Sequence, residues 1–175
     1  VAAEHVPDRR LLVVWWSNTG GTERLVEAAT RGAVDAARQL DGGLAVLGCR
    51  CDAVAPAALL RADALLFATP ECLGSMAGPM KAFFDRCYYP VLDRIGGRPY
   101  AAMVCAGSDG RGAIGQLERI VTGWRLRRVA EPLRVITGAQ TPEAIAAPKS
   151  ISGSELARAG ELGATLAAGT LLGLW

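Results

Sequence analysis

Leu11-Leu12-Val13-Val14-Trp15-Trp16-Ser17-Asn18-Thr19-Gly20-Gly21-Thr22-Glu23 is the stretch whose reading decides the fold. Its first six residues are continuously apolar, the pattern of a strand buried on both faces. A short polar, glycine-containing stretch follows. Beyond it, Leu25, Ala28, Ala29, Ala33, Ala36 and Leu40 recur at helical spacing until Asp41-Gly42-Gly43 stops the pattern. A doubly buried strand feeding directly into a helix is the opening unit of a parallel α/β sheet.

The same alternation continues outward. Leu44 to Cys51 reads as a second strand, Pro56 to Arg61 as a short helical turn, and Ala64 to Ala68 as a third strand. Thr69 to Gly78 reads as a loop. Met80, Phe84, Cys87, Val91 and Ile95 trace a helical face that Pro79 opens and that Pro90 should end or kink near Tyr89. Tyr100 to Ala106 is a fourth strand and Gly107 to Gly112 a loop. Ile114, Leu117, Val121 and Trp124 mark another helix, and Leu133 to Thr137 a fifth strand. Gly138 to Gly153 reads as irregular, and Ser154 as the cap of a last helix carrying Leu156, Leu162 and Leu166. The expectation is one α/β domain over residues 1–175, with residues 1–9 a flexible N-terminal segment. Its core is a doubly wound, five-stranded parallel sheet with helices on both faces, and its ligand lies at the carboxyl ends of the strands.

Composition narrows the function. The 175 residues carry 19 basic and 17 acidic side chains, a net charge of +2, which argues against a nucleic-acid binder and against an acidic carrier protein. Only Lys81 and Lys149 are lysines; the other basic residues are arginines. One histidine, His5, leaves no material for a Ser-His-Asp triad, and five scattered cysteines make no zinc cluster. Cys49 and Cys51 alternate on a strand and read as small apolar residues. An odd cysteine count points to a reducing compartment, hence to the cytoplasm. The run Leu11 to Trp16 is too short for a signal core, and the apolar tail Ala164 to Trp175 is too short to span a bilayer, so no membrane partner is expected.

Three loops carry the chemistry. Ser17, Asn18, Thr19, Gly20, Gly21 and Thr22 join the first strand to the first helix. Small residues there admit an anion to backbone N–H groups, three hydroxyls add donors, and the helix N-terminus supplies positive potential. A triphosphate loop needs a Lys that this stretch lacks, and Gly20-Gly21 does not make the G-x-G-x-x-G of a dinucleotide site. A single terminal phosphate suits it; an ordinary Ser/Thr-rich turn with a helix cap remains the alternative. The second loop, from Thr69, Pro70, Glu71, Cys72, Leu73, Gly74, Ser75 and Met76 to Lys81, has two glycines that let backbone approach a planar ligand. The third, Ala106, Gly107, Ser108, Asp109 and Gly110, has the same standing.

With those residues quoted, a resemblance is plain. Ser17 to Thr22 resembles the FMN phosphate loop of the flavodoxin-like superfamily. Thr69 to Arg86 resembles the second flavin loop and following helix of the NAD(P)H:quinone oxidoreductase and FMN-reductase-like branch, with its T-P-x-x-x-G-x-M-x-G-x-x-K-x-F-x-D-R pattern. The resemblance covers roughly Leu11 to Val135. It implies sheet order 2-1-3-4-5 and bound FMN. It also implies that Ser17 to Thr22 hold the phosphate, that the backbone of Pro70 to Met76 lines the ring and its N5 and O4 edge, and that Ala106 to Gly110 meet the pyrimidine edge. Related members often carry an aromatic where Leu73 stands and Asn or Arg where Cys72 stands.

The implied activity is hydride transfer from NAD(P)H to FMN and on to a quinone or similar small-molecule acceptor, with no catalytic side chain and no metal required. A flavodoxin-type electron carrier and a flavodoxin-fold protein that has lost flavin are the alternatives. Carriers of that type are usually acidic and clamp the ring with aromatics, features absent from these loops. Among single residues, Glu71 reads as a flavin ligand, a backbone cap or a surface group. Lys81, Asp85 and Arg86 read as an ion-paired helix face, Arg111 as a solvated side chain, and Trp15 and Trp16 as packing residues. Tyr88, Tyr89, Trp124 and the apolar tail lead to the expectation of a homo-oligomer, dimer or tetramer.

Overall fold

A computed structural model describes residues 9–175. Strand β1 (Arg9–Trp15) begins at Arg9, so residue 9 belongs to the sheet rather than to a flexible segment. The rest of that expected segment, His5 included, lies outside the described residues. Helix α1 (Gly21–Gln39), β2 (Leu44–Arg50), α2 (Pro56–Arg61) and β3 (Ala64–Cys72) follow. β1 is the hinge of the sheet: it pairs in parallel with β2 on one side and β3 on the other, with Leu12 facing Leu47 and Leu65. β5 (Pro99–Ala106) pairs in parallel with β3. Strands in the order β2-β1-β3-β5, with the fifth position outside β5, give the expected doubly wound sheet.

The fifth position is not one strand but two. β6 (Arg127–Arg128) pairs with Pro99–Tyr100 at the start of β5, and β7 (Leu133–Ile136) pairs with Met103–Ala106 at its end. Pro132, which has no N–H to give to a ladder, stands in the gap. The second chemistry loop also departs from expectation. β3 runs on through Cys72 and turns back as β4 (Ser75–Met76), pairing Glu71 with Met76 and Cys72 with Ser75. The two-residue turn has Leu73 at φ 51 and Gly74 at φ 72, the pair of positive values that a tight hairpin requires.

Side chains alternate across the strands and fill two cores. Leu12, Val14, Leu65, Phe67 and Val104 point to the face covered by α2, α3 (Gly78–Val91) and α4 (Arg111–Gly123). There Phe67, Phe83, Phe84 and Trp124 form an aromatic cluster, with Phe84 and Trp124 centroids 5.1 Å apart. Trp124 is thus core and contributes nothing to an outer surface. Leu11, Val13, Leu66, Met103 and Val135 point to the other face, covered by α1 and α6 (Gly153–Leu172). Those two helices touch backbone to backbone: a Cβ on Gly32 would sit 2.1 Å from the Gly160 carbonyl oxygen, and one on Gly163 would sit 1.9 Å from that of Ala29. The tail therefore docks largely on its own domain, with Leu166 and Ala167 buried and Leu172 and Leu174 exposed.

Smaller differences have local causes. α3 carries Pro90 inside its last turn and ends at Val91, because a proline so near the end forfeits a single helix bond. Lys81 and Asp85 pair at 2.6 Å, but Arg86 donates to the carbonyls of Cys51 and Val54 at 2.8 and 3.1 Å instead of joining them. The stretch expected to be irregular contains α5 (Pro142–Ala146), capped by the Thr141 hydroxyl. The cap of α6 is Ser152, not Ser154: its Oγ accepts from the Glu155 N–H at 3.2 Å, and the S-x-x-E spacing is that of a capping box. No described helix is long and apolar enough to cross a membrane.

Candidate functional site

The carboxyl ends of β1, β3, β5 and β7 open on one cleft of about 450 Å³, within the range of small-molecule sites. Ser17, Asn18, Thr19, Gly21 and Thr22 form one end of it. Pro70, Glu71, Cys72, Leu73 and Gly74 form a second wall, and Ala106, Gly107 and Ser108 line it from the third loop. The residues 17–22, 70–74 and 106–108 singled out by sequence come together here, with Gly20 alone among them set back from the lining.

The first loop is shaped from within. Ser17 Oγ accepts from the Gly20 N–H at 3.0 Å, and Gly20 takes φ 83 as the residue preceding α1. No side chain caps α1, whose first-turn amides have no intrahelical acceptor by construction. Thr22 is 1% exposed, and its Oγ1 has no hydrogen-bond partner. A buried hydroxyl without a partner costs free energy unless a ligand completes it. Asn18 ties this loop to the second: its Oδ1 accepts from Trp16 Nε1 at 2.6 Å, and its Nδ2 donates to Cys72 Sγ at 3.3 Å. Trp16 is itself covered by the Arg50 guanidinium, 4.4 Å from the ring centroid.

The hairpin is held to α4. Met76 N–H donates to Gln116 Oε1 at 2.9 Å. The Glu71 carboxylate accepts from the N–H groups of Gly110 at 2.7 Å and Ala113 at 3.2 Å, so Glu71 caps α4 from across the site. A Cβ on Gly112 would fall 1.9 Å from the Gly74 carbonyl oxygen, so only glycine lets the turn lie this close to α4. Leu73, at the tip, is fully exposed and lines the cleft.

Some predicted positions serve the frame and do not line the cleft. Thr69 is buried, its Oγ1 accepting from the Ala77 N–H at 3.2 Å and donating to the Pro70 carbonyl at 3.0 Å. Ser75 and Met76 form the return strand. Asp109 faces Arg134 at 3.5 Å and Arg111 at 3.7 Å, and Gly110 gives its N–H to Glu71. Conversely, the reading missed Cys105, Thr137, Ala139, Ile145 and Lys149, all of which line the cleft. The rule that ligands sit at the carboxyl ends of strands points to the segment after the fifth strand as well, and it would have found four of the five.

The cleft thiols are held protonated. Burial pushes the Cys72 thiol up, the Asn18 hydrogen bond works against it, and the neighbouring Glu71 charge adds to it. Burial carries Cys105 to about 11, with the Lys149 ammonium acting in the opposite sense. Among the described residues, no group of three or more His, Cys, Asp or Glu is placed to hold a metal.

The residues fit a flavin mononucleotide. One end offers hydroxyls, uncapped helix amides and an orphaned buried Thr22 Oγ1 for a phosphate. The other end is lined by residues of the hairpin and the third loop, where Gly74, Ala106 and Gly107 carry little or no side chain and leave room for a flat ring. Residues 54–139, just under half of the chain, match the family model described as NADPH-dependent FMN reductase. The fold is flavodoxin-like. A flavodoxin from the domain Archaea superposes with a TM-score of 0.69 at 19% identity, covering 92% of this chain and 98% of that one. A flavodoxin described as a WrbA-like protein from Agrobacterium tumefaciens gives 0.67 at 22% identity, covering 93% and 98%. The flavodiiron core of a Synechocystis protein gives 0.72 at 16% identity, and there the match spans 94% of this chain but 36% of that one. No curated protein sequence matches significantly. These neighbours, at 16% to 22% identity, show the fold, and the FMN reductase match concerns residues 54–139, which hold the second and third loops of the cleft.

Proposed function

We propose that this flavodoxin-like protein is an FMN-dependent oxidoreductase that takes a hydride from NAD(P)H and passes electrons to a quinone or similar small acceptor. The observation that carries the reading is Thr22 Oγ1, buried and without a partner at the uncapped start of α1, inside a cleft whose other walls fit a planar ring. FMN, when bound, supplies the hydride and electron chemistry. The chain supplies position. Ser17, Thr19 and Thr22 donate to the phosphate, together with the first amides of α1. The backbone of Pro70 to Gly74 holds one edge of the ring, and Gly107 and Ser108 the other. Asn18 and Glu71 keep the three loops in register through their bonds to Cys72 and to Gly110.

Burial favours the S–H form of both cleft thiols near neutral pH, and the reading routes no electrons through them. Exposed Leu73 and Ile145 give the entrance an apolar character that favours an apolar acceptor. A carrier role fits less well, because the net charge is +2 and the second and third loops hold no aromatic residue. The proposal includes a cytoplasmic setting and a homo-oligomer, most simply a dimer, supported by the exposure of Tyr89, Leu172 and Leu174.

The test is direct. Purified protein should be yellow, release FMN rather than FAD, and bleach on anaerobic addition of NADPH or NADH, with the colour returning when a quinone is added. Protein that binds no FMN on titration, or whose bound FMN is not reduced by either nucleotide, overturns the reading. Light scattering gives the assembly: a mass near the 18.3 kDa of one chain rejects the oligomer.

A further inference from the structure

We propose that Lys149 is the counter-cation of the phosphate in this cleft, and that it sets the preference for a phosphorylated flavin over the same flavin without phosphate. The inference rests on the FMN reading above and assigns a role to a residue far from the anion loop in sequence.

Two contacts pin Lys149 to that loop. Its backbone N–H donates to the Thr19 carbonyl at 2.9 Å. Its side-chain stem lies against the first residue of α1: a Cβ on Gly21 would be 3.1 Å from Lys149 Cβ and 3.4 Å from its Cγ. The residue lines the cleft. Its Nζ donates to the carbonyls of Ala144 and Ile145, each at 2.8 Å, and to that of Ala147. These bonds fix the ammonium on the chain around α5, but carbonyl dipoles do not neutralise it. Lys81, the other lysine, is paired with Asp85. Among the described residues, no carboxylate forms a salt bridge with Lys149.

Among the described residues, then, an ammonium with no salt-bridged carboxylate is carried by a residue whose backbone and stem touch a loop that offers an anion only hydroxyls and amides. A phosphate monoester, with a charge of about −1.5 to −2 near neutrality, is the complement. Because the ammonium is already held, it acts as a fixed point charge and needs no rearrangement when the phosphate arrives. The first loop lacks the lysine of a triphosphate site, and the chain supplies a cation from the segment after the fifth strand instead.

Lys149→Gln keeps a donor for the α5 carbonyls and removes the charge; Lys149→Met keeps the stem and removes both. Flavin-free protein is titrated with FMN and, separately, with riboflavin, by fluorescence quenching at low and high NaCl. The expected result is a loss of FMN affinity of about tenfold in both variants, the size of a through-space attraction between unit charges about 12 Å apart at an effective dielectric of about 20. Riboflavin affinity should change by less than about threefold, and the salt dependence of FMN binding should flatten. Equal losses for the two flavins would mean that Lys149 only holds α5 in place, and would overturn the proposal, as would unchanged FMN affinity in the Gln variant. Wild-type protein that takes up neither flavin overturns the FMN reading and this inference together, whereas wild-type protein that binds FMN leaves the variants to decide this inference alone.

Discussion

The Glu71 carboxylate accepts the Gly110 N–H at 2.7 Å, so a side chain of the second loop serves as the cap of the helix that follows the third. Its second bond, from the Ala113 N–H at 3.2 Å, makes the two loops one body. Ring binding and fold stability are consequently coupled at this residue. Glu71→Ala leaves two amides without their charged acceptor. The expected cost is about 1.5–3 kcal/mol, or a fall in melting temperature of about 3–12 °C for a chain of this size, accompanied by weaker FMN binding. Glu71→Gln, which keeps one acceptor, should lose less. Gly112→Ala should open the same joint by pushing the hairpin turn outward. Thermal melts with and without FMN measure all three.

Thr22→Val separates binding from folding by sign. In the flavin-free protein the valine removes a buried hydroxyl that has no partner, so stability should hold or rise. FMN affinity should fall by roughly 10- to 150-fold, the worth of one hydrogen bond to a charged phosphate. Denaturation midpoints and flavin titration on the same samples decide it; a variant that is both less stable and equally tight would contradict the assignment.

Cys72→Ala should retain most NAD(P)H oxidation, because the Cys72 sulfur is held as a thiol and its contact is with Asn18 Nδ2. A hundredfold loss of turnover with FMN still bound would place the thiol on the reaction path. Steady-state rates at matched flavin occupancy are the readout.

Alkaline stability follows from two buried thiols. Burial raises Cys51 and Cys105 from 9.0 to about 11 in the folded chain. Between those values the unfolded chain has released protons that the folded chain still holds. Stability should therefore be intact below pH 9 and decline as pH rises toward 11. Urea midpoints across that window, compared with a Cys51→Ala, Cys105→Ala double variant of flatter slope, provide the check.

The alternation of apolar runs and helical periods made the layers legible, because a strand buried on both faces leaves an unbroken apolar signature at Leu11 to Trp16, whereas the strand order followed only from the resemblance carried by Ser17 to Thr22 and Thr69 to Arg86. That the first loop lines the cleft was legible for the same reason: its small and hydroxyl residues sit immediately after that apolar signature, at the carboxyl end of β1. What escaped was decided by contacts distant in sequence. Nothing local says that Glu71 will cap α4, or that Lys149 will meet Thr19. The Leu73-Gly74 turn was hidden because a leucine at positive φ runs against its own preference and is held there by the β4 pairing. Ser152 and Ser154 both fit a cap in isolation, and Glu155 three residues after Ser152 was the signal that distinguished them.

The bare contact of α1 with α6 bears on the order of manufacture. A chain made from its N-terminus completes α1 early, yet the face bearing Ala29 and Gly32 stays uncovered until Gly153–Leu172 has been synthesised, since Gly160 and Gly163 supply the opposing surface. The helix that presents Thr22 is thus translated well before the helix that seats it. A nascent chain truncated before residue 153 should lack flavin whatever its concentration, and loading of the cofactor should follow emergence of α6 from the ribosome.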